Sequence, residues 1–216
     1  LKADIGFAFD GDGDRIIVID ENGKEIDGDK IIALFCKNYI KPKNNANQFD
    51  VIITVMSNMG LEKYLIKKLK LKIKRTKVGD INVINQMQKS KSLLGGEQSG
   101  HIIISNFSNS GDGILAALKI TEIMSINKSK TSKLFDLYKS YHQEKINLSY
   151  KNKSKKLLNV LSNLKKNKSF NNSNLRSLVR FSGTEPLVRI LVEGENKKMV
   201  KEISIKIKNM VRPYLV

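Results

Sequence analysis

Val51-Ile52-Ile53-Thr54-Val55-Met56-Ser57-Asn58-Met59-Gly60-Leu61-Glu62-Lys63-Tyr64-Leu65-Ile66-Lys67-Lys68-Leu69-Lys70 carries the change of rhythm that decides the fold. Val51 to Met56 is a short apolar run with β-branched residues, which reads as a buried strand. Ser57 to Gly60 is a turn. Beyond it, Leu61, Tyr64, Leu65 and Leu69 fall on one face at helical spacing, predicting an amphipathic helix from Leu61 to Lys70. Upstream, Asp27-Gly28-Asp29 can cap a helix to about Tyr39, and the polar stretch Lys41 to Gln48 reads as a loop. Downstream come a strand at 72–76, Val78-Gly79-Asp80, and a helix to about Lys89. A strand at Ile102 to Ile104 follows, and Ser110-Gly111-Asp112-Gly113 opens a helix to about Met124. Strands alternating with helices over 27–139 predict an α/β domain.

The flanks differ. Ile5 to Phe9 and Ile16 to Ile19 read as strands around an acidic loop, with a turn at Glu21 to Lys24. Lys128 to Lys133 is a polar break. Past it the order is strand 145–150, helix 154–165, polar Asn167 to Asn174, strands 176–181 and 187–193, and helix 196–211. That is a small α+β unit. No internal repeat is visible.

Composition excludes several classes. The chain of 216 residues is 40 % apolar and 28 % charged, ordinary for a globular protein. No apolar run approaches the roughly 18–20 residues needed to cross a bilayer. The opening Leu1-Lys2-Ala3-Asp4 is not a secretory signal. Cys36 is the only cysteine, which excludes an internal disulfide or a cysteine-built metal site and favours a reducing, cytoplasmic setting. The missing initiator Met leads us to expect a fragment. The net charge of +18 would suit a polyanion, but 33 of the 39 cations are Lys and Trp is absent, whereas nucleic-acid readers favour Arg and aromatics. Lys, Asn and Ile together make 80 residues, a bias expected of an AT-rich genome. The seven Lys of 151–168 read as a solvated helix face. We expect no nucleic-acid and no membrane partner.

Three constellations carry chemistry. In Asp10-Gly11-Asp12-Gly13-Asp14-Arg15, three alternating carboxylates can converge on one hard cation, and carboxylates this close repel without one. Calcium in a helix-loop-helix site is a rival, because Glu21 is the twelfth residue from Asp10. Arg15, however, occupies the place of the required glycine, and the flanks read as strands, so magnesium is preferred. Gly95-Gly96-Glu97-Gln98-Ser99-Gly100-His101 offers an acid, a hydroxyl and an imidazole suited to sugar hydroxyls; alone it also fits a solvated turn around a structural histidine. Arg180-Phe181-Ser182-Gly183-Thr184-Glu185-Pro186-Leu187-Val188-Arg189 supplies two guanidiniums, two hydroxyls and glycine-freed amides, a cradle for phosphate or else a surface hairpin.

Together and in this order, the three resemble the α-D-phosphohexomutase superfamily, with its metal loop DGDGDR, sugar loop GExSGH and phosphate loop RxSGTEP. Met56 to Glu62, Lys77 to Asp80 and Gln98, where hexose-specific relatives typically have Met, look most like the bacterial phosphoglucosamine mutase subfamily. The resemblance implies four domains around a cleft. Residues 1–26 would end domain two with the metal loop. Residues 27–139 would form domain three, a mixed-sheet α/β domain, and 143–216 a small α+β C-terminal domain four resembling TATA-box-binding protein. It implies interconversion of glucosamine 6-phosphate and glucosamine 1-phosphate through a phosphoserine and a bisphosphate intermediate, on the route to peptidoglycan precursors.

Asp10, Asp12 and Asp14 would hold Mg²⁺, with a phosphoserine oxygen as a further ligand and Arg15 near the phosphoserine or the reacting hydroxyl. Glu97 and Ser99 would bind sugar hydroxyls, and His101 would line the cleft; Arg15 and His101 are the catalytic candidates. Arg180, Ser182, Gly183, Thr184 and Arg189 would grip the phosphate not being transferred, and Lys77 would add a substrate contact. The family's nucleophile lies in a TASHNP-like loop, which is absent; the only histidines, His101 and His142, do not follow a serine. The chain is therefore expected to need the N-terminal half of the same enzyme and to be inactive alone. Phosphomannomutase/phosphoglucomutase activity, a non-catalytic sugar-phosphate module and a basic scaffold for polyanions are the alternatives.

Overall fold

The computed structural model describes residues 2–42, 48–183 and 185–215. The chain forms two compact units, Leu1–Lys139 and Ser140–Val216.

In the first unit, β1 (Ile5–Phe9) and β2 (Ile16–Asp20) form an antiparallel hairpin, and β3 (Glu25–Ile26) adds a short third strand. α1 (Gly28–Tyr39) starts where the Asp27 carboxylate accepts the Lys30 amide at 3.1 Å, satisfying one of the helix's orphan donors. A second sheet has the order β5-β4-β6-β7, built from β4 (Val51–Thr54), β5 (Ile73–Thr76), β6 (Leu94–Gly96) and β7 (Ile102–Ile104). β5, β4 and β6 run parallel and β7 antiparallel, so the sheet is mixed.

Strand alternation sorts its side chains. Val51, Ile53, Leu94 and Ile102 pack with Ile31, Ile32 and Phe35 of α1, while Ile52 and Ile103 pack on the other face with Val83 and Met87 of α3 (Asp80–Ser90). The result is helix, sheet, helix. Each fully buried Ile or Leu here contributes roughly 1.5–3 kcal/mol, so a charge at Ile53 would collapse the layer. α4 (Gly113–Asn127) packs on β1 and β2, with Asp112 as its N-cap, and so joins the first sheet to this unit.

The second unit has the antiparallel sheet β8-β10-β9, from β8 (His142–Ser149), β9 (Leu175–Phe181) and β10 (Leu187–Gly194). The short helix α5 (Thr131–Leu134) still belongs to the first unit, whereas α6 (Lys155–Lys166) and α7 (Lys197–Val211) cover one face of this sheet. Leu157, Leu161, Val200 and Ile207 meet Val188, Ile190 and Val192 there.

The fold class is the one expected, with four local departures. Leu94–Gly96, read as the start of a loop, is a buried strand: two glycines hide its pattern, and a Cβ on Gly95 would lie 2.4 Å from Met87 Sδ. The helix expected over 61–70 is α2 (Met59–Lys63) running into a π-helical turn at Tyr64–Lys68. That wider turn, with the Leu71 amide reaching Leu65 O at 3.0 Å, lets both leucines be buried. β3 was not expected, and α5 lies across the end of the polar break. Of the predicted loop at Lys41 to Gln48, residues 43–47 lie outside the described residues.

Candidate functional site

The Phe9↔Ile16 pair closes the acidic loop at the end of the β1–β2 hairpin. Gly13 takes φ +73°, a region open to glycine at no steric cost, and its amide donates to Asp10 O at 3.2 Å. The Arg15 amide donates to Asp10 Oδ1 at 3.1 Å. This curl lets Asp10, Asp12 and Asp14 each bring one carboxylate oxygen to within 4.8 Å of the others. Asp14 Oδ1 is buried without a hydrogen-bond partner, and Arg15 Nε sits 3.6 Å from Asp10 Oδ2 and 3.7 Å from Asp14 Oδ1.

Desolvation and a hydrogen bond to Asp10 push Asp14 above the ordinary carboxylate range, against the pull of His101. Asp10 feels desolvation too, but the Arg15 amide, the bond with Asp14 and the Arg15 charge hold it below that range. Crowded hard oxygens that repel one another fit a small hard cation such as Mg²⁺. Glu21, the extra ligand of the calcium alternative, is turned elsewhere and accepts from the Ser132 amide at 2.9 Å.

β6 delivers the sugar loop. The Gly100 amide donates to Glu97 O at 3.1 Å and the Glu97 amide to His101 O at 3.0 Å, making a tight turn with Gly100 at φ +94°. The Ile16 amide donates to Gly100 O at 3.1 Å, joining this turn to the strand after the metal loop, and the Gly113 amide at the start of α4 donates to Gly13 O of the metal loop at 2.9 Å. Arg15 and His101 pair between them as an antiparallel bridge. The metal and sugar loops thus lie side by side.

Each sugar-side residue has a definite place. Ser99 is exposed at the tip. Glu97 is buried and its Oε1 accepts the Gly79 amide at 2.9 Å, tying in the segment that carries the exposed Lys77. His101 is only 3 % exposed; its Nε2 lies 3.4 Å from Asp14 Oδ2, and Gly111 packs against the ring, where a Cβ would be 2.3 Å from Nε2. In this state it braces Asp14 from behind instead of opening to solvent. Gln98 Nε2 donates to Asp27 Oδ2 at 3.3 Å, while Gln98 O accepts the Gly28 amide at 3.0 Å. Gln98 therefore fastens the loop to the α1 N-cap.

The phosphate loop belongs to the second unit. Arg180 of β9 and Arg189 of β10 stand directly opposite each other. Like charges so paired destabilise a sheet unless an anion lies between them. Burial and the Arg189 charge both lower the Arg180 pKa. Ser182 Oγ and Arg189 Nε are buried without hydrogen-bond partners, two donors suited to an absent acceptor. Gly183 has open space around it, and Thr184 lies outside the described residues.

Sequence reasoning missed Gly79, Gly111 and Asp27 as neighbours of these loops, and it placed Glu185 within the phosphate loop without giving it a role. Only Gly79, between Val78 and an acidic helix start, carried a local signal.

Residues 27–141 match the family model described as phosphoglucomutase/phosphomannomutase, alpha/beta/alpha domain III, and residues 146–209 match that family's C-terminal domain. The chain belongs to the phosphoglucomutase/phosphomannomutase family. Its curated relatives include the phosphoglucosamine mutases of Campylobacter curvus, 40 % identical over 94 % of this chain and 45 % of the relative, and of Natranaerobius thermophilus, 41 % identical over 94 % and 46 %. Among solved structures, a phosphoglucomutase/phosphomannomutase family protein from Burkholderia thailandensis matches 100 % of this chain and 48 % of its own, with TM-score 0.80 at 21 % identity. Aspergillus fumigatus N-acetylphosphoglucosamine mutase, solved with GlcNAc-6P and magnesium, matches 97 % and 49 %, with TM-score 0.73 at 20 % identity. The chain spans about half the length of the curated relatives it matches. Among the described residues, no helix is long and apolar enough to cross a membrane.

Proposed function

We propose that this chain is the C-terminal half of a phosphoglucosamine mutase, interconverting glucosamine 6-phosphate and glucosamine 1-phosphate once joined to its N-terminal half. In that reading residues 1–26 close domain two, 27–139 are domain three and 143–216 are domain four, in a cytoplasmic enzyme. The observation that carries it is the joining of a three-carboxylate loop to a sugar-type loop through the Ile16–Gly100 backbone bond and the Arg15–His101 bridge. Relatives bearing that name at about 40 % identity support the amino-sugar substrate.

Each residue then has a task. Glu97 and Ser99 bind sugar hydroxyls, with Glu97 held by the Gly79 amide so that its second oxygen has a fixed direction. Arg180, Ser182, Gly183, Thr184 and Arg189 grip the phosphate that is not being transferred, so either orientation of a bisphosphate is anchored alike. Arg15 places positive charge beside the metal loop, and Lys77 approaches the sugar from the Gly79 segment. Asp10, Asp12 and Asp14 would hold Mg²⁺, which when bound supplies neutralisation of phosphoryl charge. The N-terminal half would bring the phosphoserine: its phosphoryl group passes to the free sugar hydroxyl, whose proton leaves, and the other phosphate later restores the phosphoserine.

Co-expression with an N-terminal half taken from a relative, followed by ³¹P NMR of glucosamine 6-phosphate, tests this. Formation of glucosamine 1-phosphate is expected, with kcat/KM above that for glucose or mannose phosphates. A folded complex without turnover would sink the enzyme reading. Preference for mannose 1-phosphate would sink the amino-sugar assignment alone.

A further inference from the structure

We infer that Glu185 is a positioning residue for the phosphate cradle: it holds the outer nitrogen of Arg189 and so directs the buried Nε of that guanidinium at the anion. The inference rests on the phosphate-loop reading above and adds a residue to it. Glu185 Oε2 accepts from Arg189 Nη2 at 2.5 Å, while Arg189 Nε is buried and without a hydrogen-bond partner. A guanidinium is a rigid planar fork, so fixing one terminal nitrogen and the side-chain stem fixes the direction of every other N–H. The Glu185 side chain of the pair is 52 % exposed and that of Arg189 39 %, which puts the carboxylate on the solvent side of the fork and Nε on the inner side.

The turn that carries Glu185 is itself held. The Leu187 amide donates to Glu185 O and the Ser182 amide to Leu187 O, both at 2.8 Å, and Pro186 restricts the backbone between them. Glu185 thus stands on a fixed turn that also carries Ser182, whose buried Oγ is the other unpartnered donor. Its negative charge also offsets the repulsion of Arg180 and Arg189 across β9 and β10 while no anion is present. A carboxylate that instead competed with phosphate for this arginine would take the inward Nε; here it leaves that atom open. The two roles differ in sign, since removing a competitor tightens phosphate binding and removing a positioning group weakens it.

The test is a calorimetric titration of inorganic phosphate into the 216-residue chain at constant low ionic strength, with wild type, Glu185→Ala, Glu185→Gln and Arg180→Lys. Ala and Gln change the net charge equally, so their ratio isolates the contact. Glu185→Ala is expected to bind about two- to fivefold more weakly than Glu185→Gln, as for an exposed ion pair, with unfolding midpoints unchanged. Equal binding by the two, or tighter binding by Glu185→Ala, overturns the inference. If Arg180→Lys weakens binding and the Glu185 variants do not differ, the cradle stands and only the role of Glu185 falls. If the wild type shows no saturable binding, or Arg180→Lys leaves it unchanged, the cradle reading falls and takes this inference with it.

Discussion

Asp29→Asn should change the stability of the first unit in a pH-dependent way, and the direction can be worked out in advance. Asp29 is fully buried at the start of α1, where Oδ2 accepts the Asn58 amide at 2.7 Å and so ties this helix to the N-cap of α2. Burial, with the nearby Asp27 charge adding, raises its pKa from 3.8 to about 7, against the Asn58 amide, the Ser57 hydroxyl and the Arg75 charge. The folded state therefore keeps a proton that the unfolded chain releases. Its stability contribution is complete below about pH 4 and is lost as pH rises through about 7. At about 1.4 kcal/mol per unit, three units amount to about 4 kcal/mol, an upper figure because the structure relaxes around a buried charge. Asn keeps an oxygen for the Asn58 amide and cannot ionise. The variant should match wild type near pH 4.5 and exceed it by about 2–4 kcal/mol at pH 8.5. Urea unfolding followed by circular dichroism at four pH values gives the difference curve, and the ¹³C carboxyl shift of Asp29 gives the midpoint directly. A difference that stays flat with pH would refute the reasoning.

Further outcomes follow from the three loops. Arg180→Lys should bind glucosamine 6-phosphate about tenfold more weakly by titration, because a charge-assisted bond of roughly 1.5–3 kcal/mol loses its planar fork although the charge stays. Asp12→Asn should abolish a Mg²⁺-dependent rise in Tm and leave the metal-free Tm unchanged or slightly higher, since Asp12 is exposed and a like charge is removed. Gly100→Ala should cost at least about 3 kcal/mol in urea unfolding, because φ is +94° and the Cβ would lie 2.0 Å from Ile16 O. Gly183→Ala, with open space around its Cβ, should leave stability within about 0.5 kcal/mol.

The helices were legible because their signals are local. Asp27, Asp112, Ser154 and Asn196 each accept an amide three residues on, and each precedes an apolar-periodic run. α1, α4, α6 and α7 accordingly begin where the sequence places them, to within about two residues, and α3 does so behind Gly79 without a side-chain cap. The acidic loop was legible for a similar reason, since alternation of Asp and Gly needs nothing distant to bring the carboxylates together. The π-helical turn at Tyr64–Lys68 had no such sign. Leu61, Tyr64, Leu65 and Leu69 suit an ordinary helix, and what widens the turn is the placing of Leu71 in the core beyond it. Thr184 lies outside the described residues, so its expected phosphate contact stays with the proposal.

The strand β6 and the sugar loop show why the rest was hidden. Gly95 and Gly96 make the segment look like a loop, yet Gly95 is needed because Met87 and Val83 of α3 lie against it, and Gly96 because His101 O does. The two absent side chains thus let a helix and a returning strand close on a central strand, and that closure sets the turn from Glu97 to Gly100. Gly100 meets Ile16 O and Gly111 meets the His101 ring in the same manner. Each glycine is a place where another segment comes against its backbone, with a side chain at Gly95 and Gly111 and a backbone carbonyl at Gly96 and Gly100. A single sequence records that a side chain is missing but not which segment fills the space. The partner of each glycine is set by the strand order β5-β4-β6-β7 and by the α4 contact with β1 and β2. The chemistry of the site was therefore readable as three separate loops, whereas the adjacency of the metal and sugar loops, on which the proposed reaction depends, is a property of the packing.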